Sequence, residues 1–126
     1  METKKVLVVE DDLNFLSILQ QAFEQEEEIK LFLAKDGQEG LDAAIKEKPD
    51  LILLDILMPI MNGIEVAKKL QESSIKTRII FLTNVSDVDT INKAVEAVKF
   101  GVEYIIKSDV HVAQIVARVK EKLEIK

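Results

Sequence analysis

Leu51-Ile52-Leu53-Leu54-Asp55-Ile56-Leu57-Met58-Pro59 lies near the middle of the chain: four apolar residues in a row that stop at an acid, with a proline four positions on. An apolar run without alternation reads as a strand buried on both faces, which is the habit of parallel sheets covered by helices. Pro59 and Gly63 shape the loop that follows, and Asn62 is placed to cap a helix near Ile64 to Leu70.

The same alternation extends in both directions. Towards the N-terminus, Val6-Leu7-Val8-Val9 forms a β-branched run within a strand from Lys4 to Val9 that ends in Glu10-Asp11-Asp12. Phe15, Leu16, Leu19, Ala22 and Phe23 then recur at helical spacing, with Asp12 or Asn14 available as cap. A strand near Ile29 to Ala34 and a helix from Gln38 to Lys46 complete that half. Towards the C-terminus come a strand from Arg78 to Leu82 and a helix carrying Val88, Ile91, Ala94, Val95 and Val98. A strand from Tyr104 to Ile106 follows, then a last helix carrying Val112, Ile115, Val116, Val119 and Leu123. Five strands alternating with five helices predict a doubly wound α/β fold: a five-stranded parallel sheet with helices on both faces, flavodoxin-like, forming one domain over residues 1–126.

Composition narrows the function. The chain has 126 residues, no cysteine and a formal charge of −6. That excludes disulfides and thiolate metal sites, and it disfavours direct nucleic-acid binding by this domain, since an acidic surface repels phosphates. No apolar run approaches the roughly 20 residues that span a bilayer. Met1-Glu2-Thr3-Lys4-Lys5 does not resemble a signal peptide, so a cytoplasmic location is expected.

Ligands of an open parallel sheet bind beyond the carboxyl ends of its strands. Here those ends carry Glu10-Asp11-Asp12, Asp55, Thr83 and Lys107. Crowded carboxylates repel one another unless a cation neutralises them, which calls for Mg²⁺, a lysine, or both. Taken singly, each acid is as readily a helix cap or turn residue. Four strand ends converging on one crevice make the functional reading the stronger one.

Val-Val-Glu10-Asp11-Asp12, Leu-Leu-Asp55-Ile-Leu-Met-Pro59 with Asn62-Gly63, Leu-Thr83 and Tyr104-Ile-Ile-Lys107 resemble, in order, the motifs of response-regulator receiver domains over almost the whole chain. The resemblance implies a signalling switch and not an enzyme with its own substrate. Asp55 would take a phosphoryl group from the phosphohistidine of a histidine kinase or phosphotransfer protein. Mg²⁺ would be held by Glu10, Asp11, Asp55 and the backbone carbonyl of Leu57, with Lys107 contacting the phosphoryl group and Thr83 and Tyr104 forming the switch. Output, including possible homodimerisation, would run through the fourth helix, fifth strand and fifth helix.

Ser108 departs from the family, which usually has proline after the lysine, commonly with a cis bond; either the Lys107–Ser108 bond relaxes to trans, which would displace the Lys107 ammonium, or it stays cis at a cost of about 2.5–4 kcal/mol. Ser108 or Asp109 then becomes a candidate cap for the last helix, with Val110, His111 and Val112 in its first turn and His111 on the surface. The span from Thr83 to Gly101 is slightly long for the family, which predicts an extended or shifted fourth helix. Leu57, Asn84 and Val85 offer little to orient or admit an attacking water, which predicts slow self-dephosphorylation. The competing readings are a docking module that has lost phosphorylation, an FMN binder and a Mg²⁺-dependent phosphohydrolase. The second lacks a phosphate loop after the first strand, and the third lacks a second acid at Leu57.

Overall fold

The structure is a computed structural model that describes residues 2–84, 88–96 and 103–125, excepting the side chains of Val88 and Val95. The strands are β1 (Lys4–Val9), β2 (Ile29–Ala34), β3 (Leu51–Asp55), β4 (Arg78–Thr83) and β5 (Glu103–Ile106). The helices are α1 (Leu13–Phe23), α2 (Gly37–Glu47), α3 (Gly63–Glu72), α4 (Val88–Glu96) and α5 (Val112–Lys122), with a 3₁₀ turn over Lys107–Asp109. All strand pairs are parallel, in the order β2-β1-β3-β4-β5.

Both faces of the sheet are covered, which is why the central strands lack polar alternation. Leu7, Val9, Ile52, Leu54, Ile79 and Phe81 point to one side, against Leu41 and Ala44 of α2, Val66, Ala67 and Leu70 of α3 and Ala94 of α4. Val6, Val8, Leu51, Leu53, Ile80, Leu82 and Ile105 point to the other, against Leu16, Leu19 and Phe23 of α1 and Ile115, Val116 and Val119 of α5. Each fully buried Leu or Ile contributes about 1.5–3 kcal/mol by leaving water, which favours an interior place for β3, whose Leu51 to Leu54 are all fully buried.

Several acids have purely structural work. Asp12 accepts from the backbone of Asn14 (3.0 Å) and Phe15 (3.2 Å) and caps α1, while Asp36 accepts from Glu39 (2.7 Å) and caps α2. Asn62 caps α3 with a reciprocal bond from Asn62 N–H to Glu65. At the opposite end of the sheet from the acidic crevice, the Asp50 carboxylate accepts from Lys5 N at 2.8 Å and ties β1 to the start of β3.

The start of the last helix differs from the sequence expectation. Ser108 and Asp109 do not cap it; they belong to the 3₁₀ turn, and α5 begins at Val112 with His111 as its N-terminal flank. The capping bond comes from the other direction, His111 N–H donating to the Gln114 side chain at 2.7 Å. The Lys107–Ser108 bond is trans. Val85, Val98 and Gly101 lie outside the described residues, as does any extension of α4 past Glu96.

The loop from β3 to α3 is tightly folded. Gly63 N–H donates to Ile56 O (2.9 Å) and Met61 N–H to Pro59 O (2.8 Å). Between them Ile60 has φ 71° and a side chain 99 % exposed, a left-handed conformation that is costly for a β-branched residue.

Candidate phosphorylation site

The order of the strands decides where the site lies. β1 is central, β2 lies to one side of it and β3 to the other, so the chain changes direction between β1 and β3 and opens a crevice at their carboxyl ends. Glu10 and Asp11 follow β1 directly, Asp55 ends β3, and Glu10 N–H continues the ladder by donating to Ala34 O at 3.0 Å. Leu82 is the register partner of Asp55, which puts Thr83 one residue further along β4. Thr83 is paired in turn with Ile106, the residue before Lys107.

Glu10, Asp11 and Asp55 each offer a carboxylate oxygen, and these lie within 4.8 Å of one another. Glu10 is fully buried, Asp55 is 4 % exposed, and Asp11 faces solvent. Lys107 reaches over from the 3₁₀ turn that follows β5, forming a close ion pair with Glu10 and lying 3.4 Å from Asp55 Oδ2. The trans bond after Lys107 has therefore not taken its ammonium out of the crevice. The lysine pairs more closely with Glu10 than with Asp55. Glu10 also accepts from Asp12 N–H at 3.1 Å.

Burial pushes the Asp55 carboxyl up to about 8. Hydrogen bonding with Glu10 and repulsion from its charge push in the same direction, Lys107 pulls back, and a hydrogen bond with Asp11 raises it further. With all three acids ionised, three negative charges face one ammonium, leaving two uncompensated. That is the charge of one divalent cation. An all-oxygen donor set of this kind suits a hard ion such as Mg²⁺. His111, exposed at the start of α5, takes no part.

The family model for the response regulator receiver domain matches residues 6–120. This chain belongs to that family. Among curated relatives, the receiver is 34% identical over 96 residues to sporulation initiation phosphotransferase F of Bacillus subtilis, covering 76% of this chain and 77% of that protein. It is 32% identical over 116 residues to the response regulator ArlR of Staphylococcus aureus, covering 92% of this chain and 51% of ArlR. The receiver thus spans about half the length of ArlR, and likewise 52% of the transcriptional regulatory protein YkoG of B. subtilis. Among solved structures, the BeF₃-activated DrrB receiver domain superposes with a TM-score of 0.81 at 28% identity, covering 97% of this chain and 98% of that one. The response regulator domain of Thermotoga maritima CheB gives 0.81 at 27%, covering 98% and 95%. A phosphoacceptor signalling switch is the function of the family.

Of the residues singled out in the sequence, Glu10, Asp11, Asp55 and Lys107 are brought together, and Thr83 is buried beside them at the end of β4. Tyr104 is 43 % exposed on β5, and Leu57 is 56 % exposed in the loop after Asp55. Phe15 was missed as a site residue: its ring lies 4.9 Å from the Lys107 ammonium. Helical spacing marks Phe15 only as an apolar position of α1 and gives no hint of this contact. Among the described residues, no helix is long and apolar enough to cross a membrane.

Proposed function

We propose that Asp55 is the phosphoacceptor of this receiver. The observation that carries the reading is a buried aspartate at the end of the central strand, flanked by two further carboxylates and a lysine from the turn after β5. An Asp55 carboxylate oxygen attacks the phosphorus of a phosphohistidine on a histidine kinase or phosphotransfer protein. The P–N bond breaks, the imidazole leaves, and an acyl phosphate remains on Asp55. The ionised carboxylate is the reactive form. Lys107 favours that form and then offers its positive charge to a phosphoryl oxygen. Bound Mg²⁺, held by Glu10, Asp11, Asp55 and the Leu57 carbonyl, would supply charge neutralisation to the carboxylates and phosphoryl oxygens.

Thr83 is the hydroxyl that senses the phosphoryl group, and Tyr104 on the adjacent strand is the ring that responds. The output surface comprises α4, β5 and α5, where Glu103 is held by Arg118 (3.2 Å) and Lys122 (3.5 Å). Phosphorylation biases that surface toward a form that binds a partner or a second copy. Any nucleic-acid contact belongs to another domain or chain, in keeping with the charge of −6, and the domain works in the cytoplasm.

Intact mass after incubation with acetyl phosphate and Mg²⁺ tests the assignment. The expected result is a gain of one phosphoryl group that is lost in Asp55→Ala. No gain in the wild type would favour a constitutive docking module instead.

Self-dephosphorylation is expected to be slow. The side chain of Leu57 cannot hydrogen-bond an attacking water, and Asn84 is a larger residue than the small one often found beside the threonine. The acyl phosphate should persist for hours in Mg²⁺ buffer; complete decay within seconds would refute the idea.

A further inference from the structure

We infer that Phe15 is a positioning residue for Lys107, its ring holding the ammonium in the crevice through the phosphoryl transfer. This inference rests on the reading of Asp55 as phosphoacceptor. Lysine has a flexible four-carbon stem and three donors, so its charge acts at one point only if the ammonium is confined. Here the residue after Lys107 is serine, so the backbone lacks a proline ring that would stiffen the loop, and the 3₁₀ turn begins at Lys107 itself.

Among the described residues, three groups meet the ammonium: Glu10, Asp55 and the face of Phe15 at 4.9 Å. The Lys107 side chain is only 10 % exposed, so the cation–π contact is largely shielded from water, where such contacts are strongest. Two of the three partners are carboxylates that have other work once a phosphoryl group arrives, since both belong to the acidic set that suits a cation. The ring keeps the same task throughout. Its place is secure: Phe15 lies in the first turn of α1, its backbone N–H is bound by the Asp12 cap at 3.2 Å, and its side chain packs on the core formed by α1 and α5. The segment that carries the acidic pair therefore also carries the surface that confines the lysine.

The test is a set of variants in the full chain: Phe15→Leu, Phe15→Tyr, Lys107→Ala, and Phe15→Leu combined with Lys107→Ala. Leucine keeps an apolar contact with the core and removes the π face, whereas tyrosine keeps the face. Two readings are taken, the rate of phosphorylation by acetyl phosphate with Mg²⁺ and, by NMR in the resting metal-free protein, the Lys107 ε-methylene protons. Phe15→Leu is expected to slow phosphorylation roughly tenfold with an unfolding midpoint near that of the wild type. It should also remove the ring-current shift of the Lys107 protons. Phe15→Tyr restores both, and in the Lys107→Ala background Phe15→Leu has no further effect. Unchanged Lys107 protons in Phe15→Leu, or a full Phe15→Leu effect without Lys107, overturns the inference. If the wild type takes up no phosphoryl group, the reading of Asp55 fails by itself, while the proton shifts still decide whether Phe15 holds the lysine.

Discussion

Asp55→Asn is expected to abolish phosphoryl uptake and, in metal-free buffer, to make the protein more stable at pH 8 by roughly 2–4 kcal/mol. The first effect removes the nucleophile. The second follows from where that nucleophile is kept. The Asp55 carboxyl is pushed up to about 8 in the folded protein, against an ordinary value of 3.8. Between those values the native state holds a proton that the unfolded chain has released. Wild-type stability from this group is therefore fully present below about pH 4, falls as pH rises by up to about 1.4 kcal/mol per unit, and levels off above about pH 8. Asparagine has no proton to lose and no charge to bury, and Lys107 keeps its closer partner, Glu10. Urea unfolding of both proteins at pH 5 and pH 8 with a chelator present measures the difference. Parallel pH profiles would show that Asp55 is not strained in this way.

Gly63→Ala is expected to destabilise the fold by roughly 2–4 kcal/mol and to slow phosphorylation. Helix propensity alone predicts the opposite sign, because Gly63 opens α3 and alanine is the better helix former by about 1 kcal/mol. The backbone leaves no room for that gain. A Cβ at Gly63 would lie 2.2 Å from the carbonyl oxygen of Asp55 and 3.1 Å from Cα of Ile56, both main-chain atoms that cannot swing aside. The loop would have to move off the end of β3 and take Asp55 with it. Denaturant titration checks the sign, and an alanine variant as stable as the wild type would show that the loop yields freely.

The strands were legible because both faces of the sheet are covered, whereas their order across the sheet was not read from the sequence. Runs such as Leu51 to Leu54 then have no polar position to hide the pattern, and all four residues are fully buried. Asp12 and Asn62 were legible as caps because capping is local chemistry. The beginning of α5 was not legible, since Ser108 and Asp109 are good cap residues by type but are consumed by a 3₁₀ turn, leaving Gln114 to reach back to His111. In the crevice the residue types were readable, but their pairing was not. Which carboxylate Lys107 pairs with, and that the Phe15 ring meets its ammonium, are set by contacts between residues far apart in the chain, which local sequence pattern does not carry.

The lysine that neutralises Glu10 lies 97 positions further along the chain, and Lys120 joins Glu26 across 94. During synthesis the acids after β1 emerge long before these cations do. A nascent chain that collapsed early around β1 and β3 would have to leave these carboxylates in water or protonate them, so these ion pairs form only after the turn following β5 and α5 have left the ribosome. Chains ended at Ile106 keep every strand but lose both lysines and the helix that covers one face, and should be poor folders.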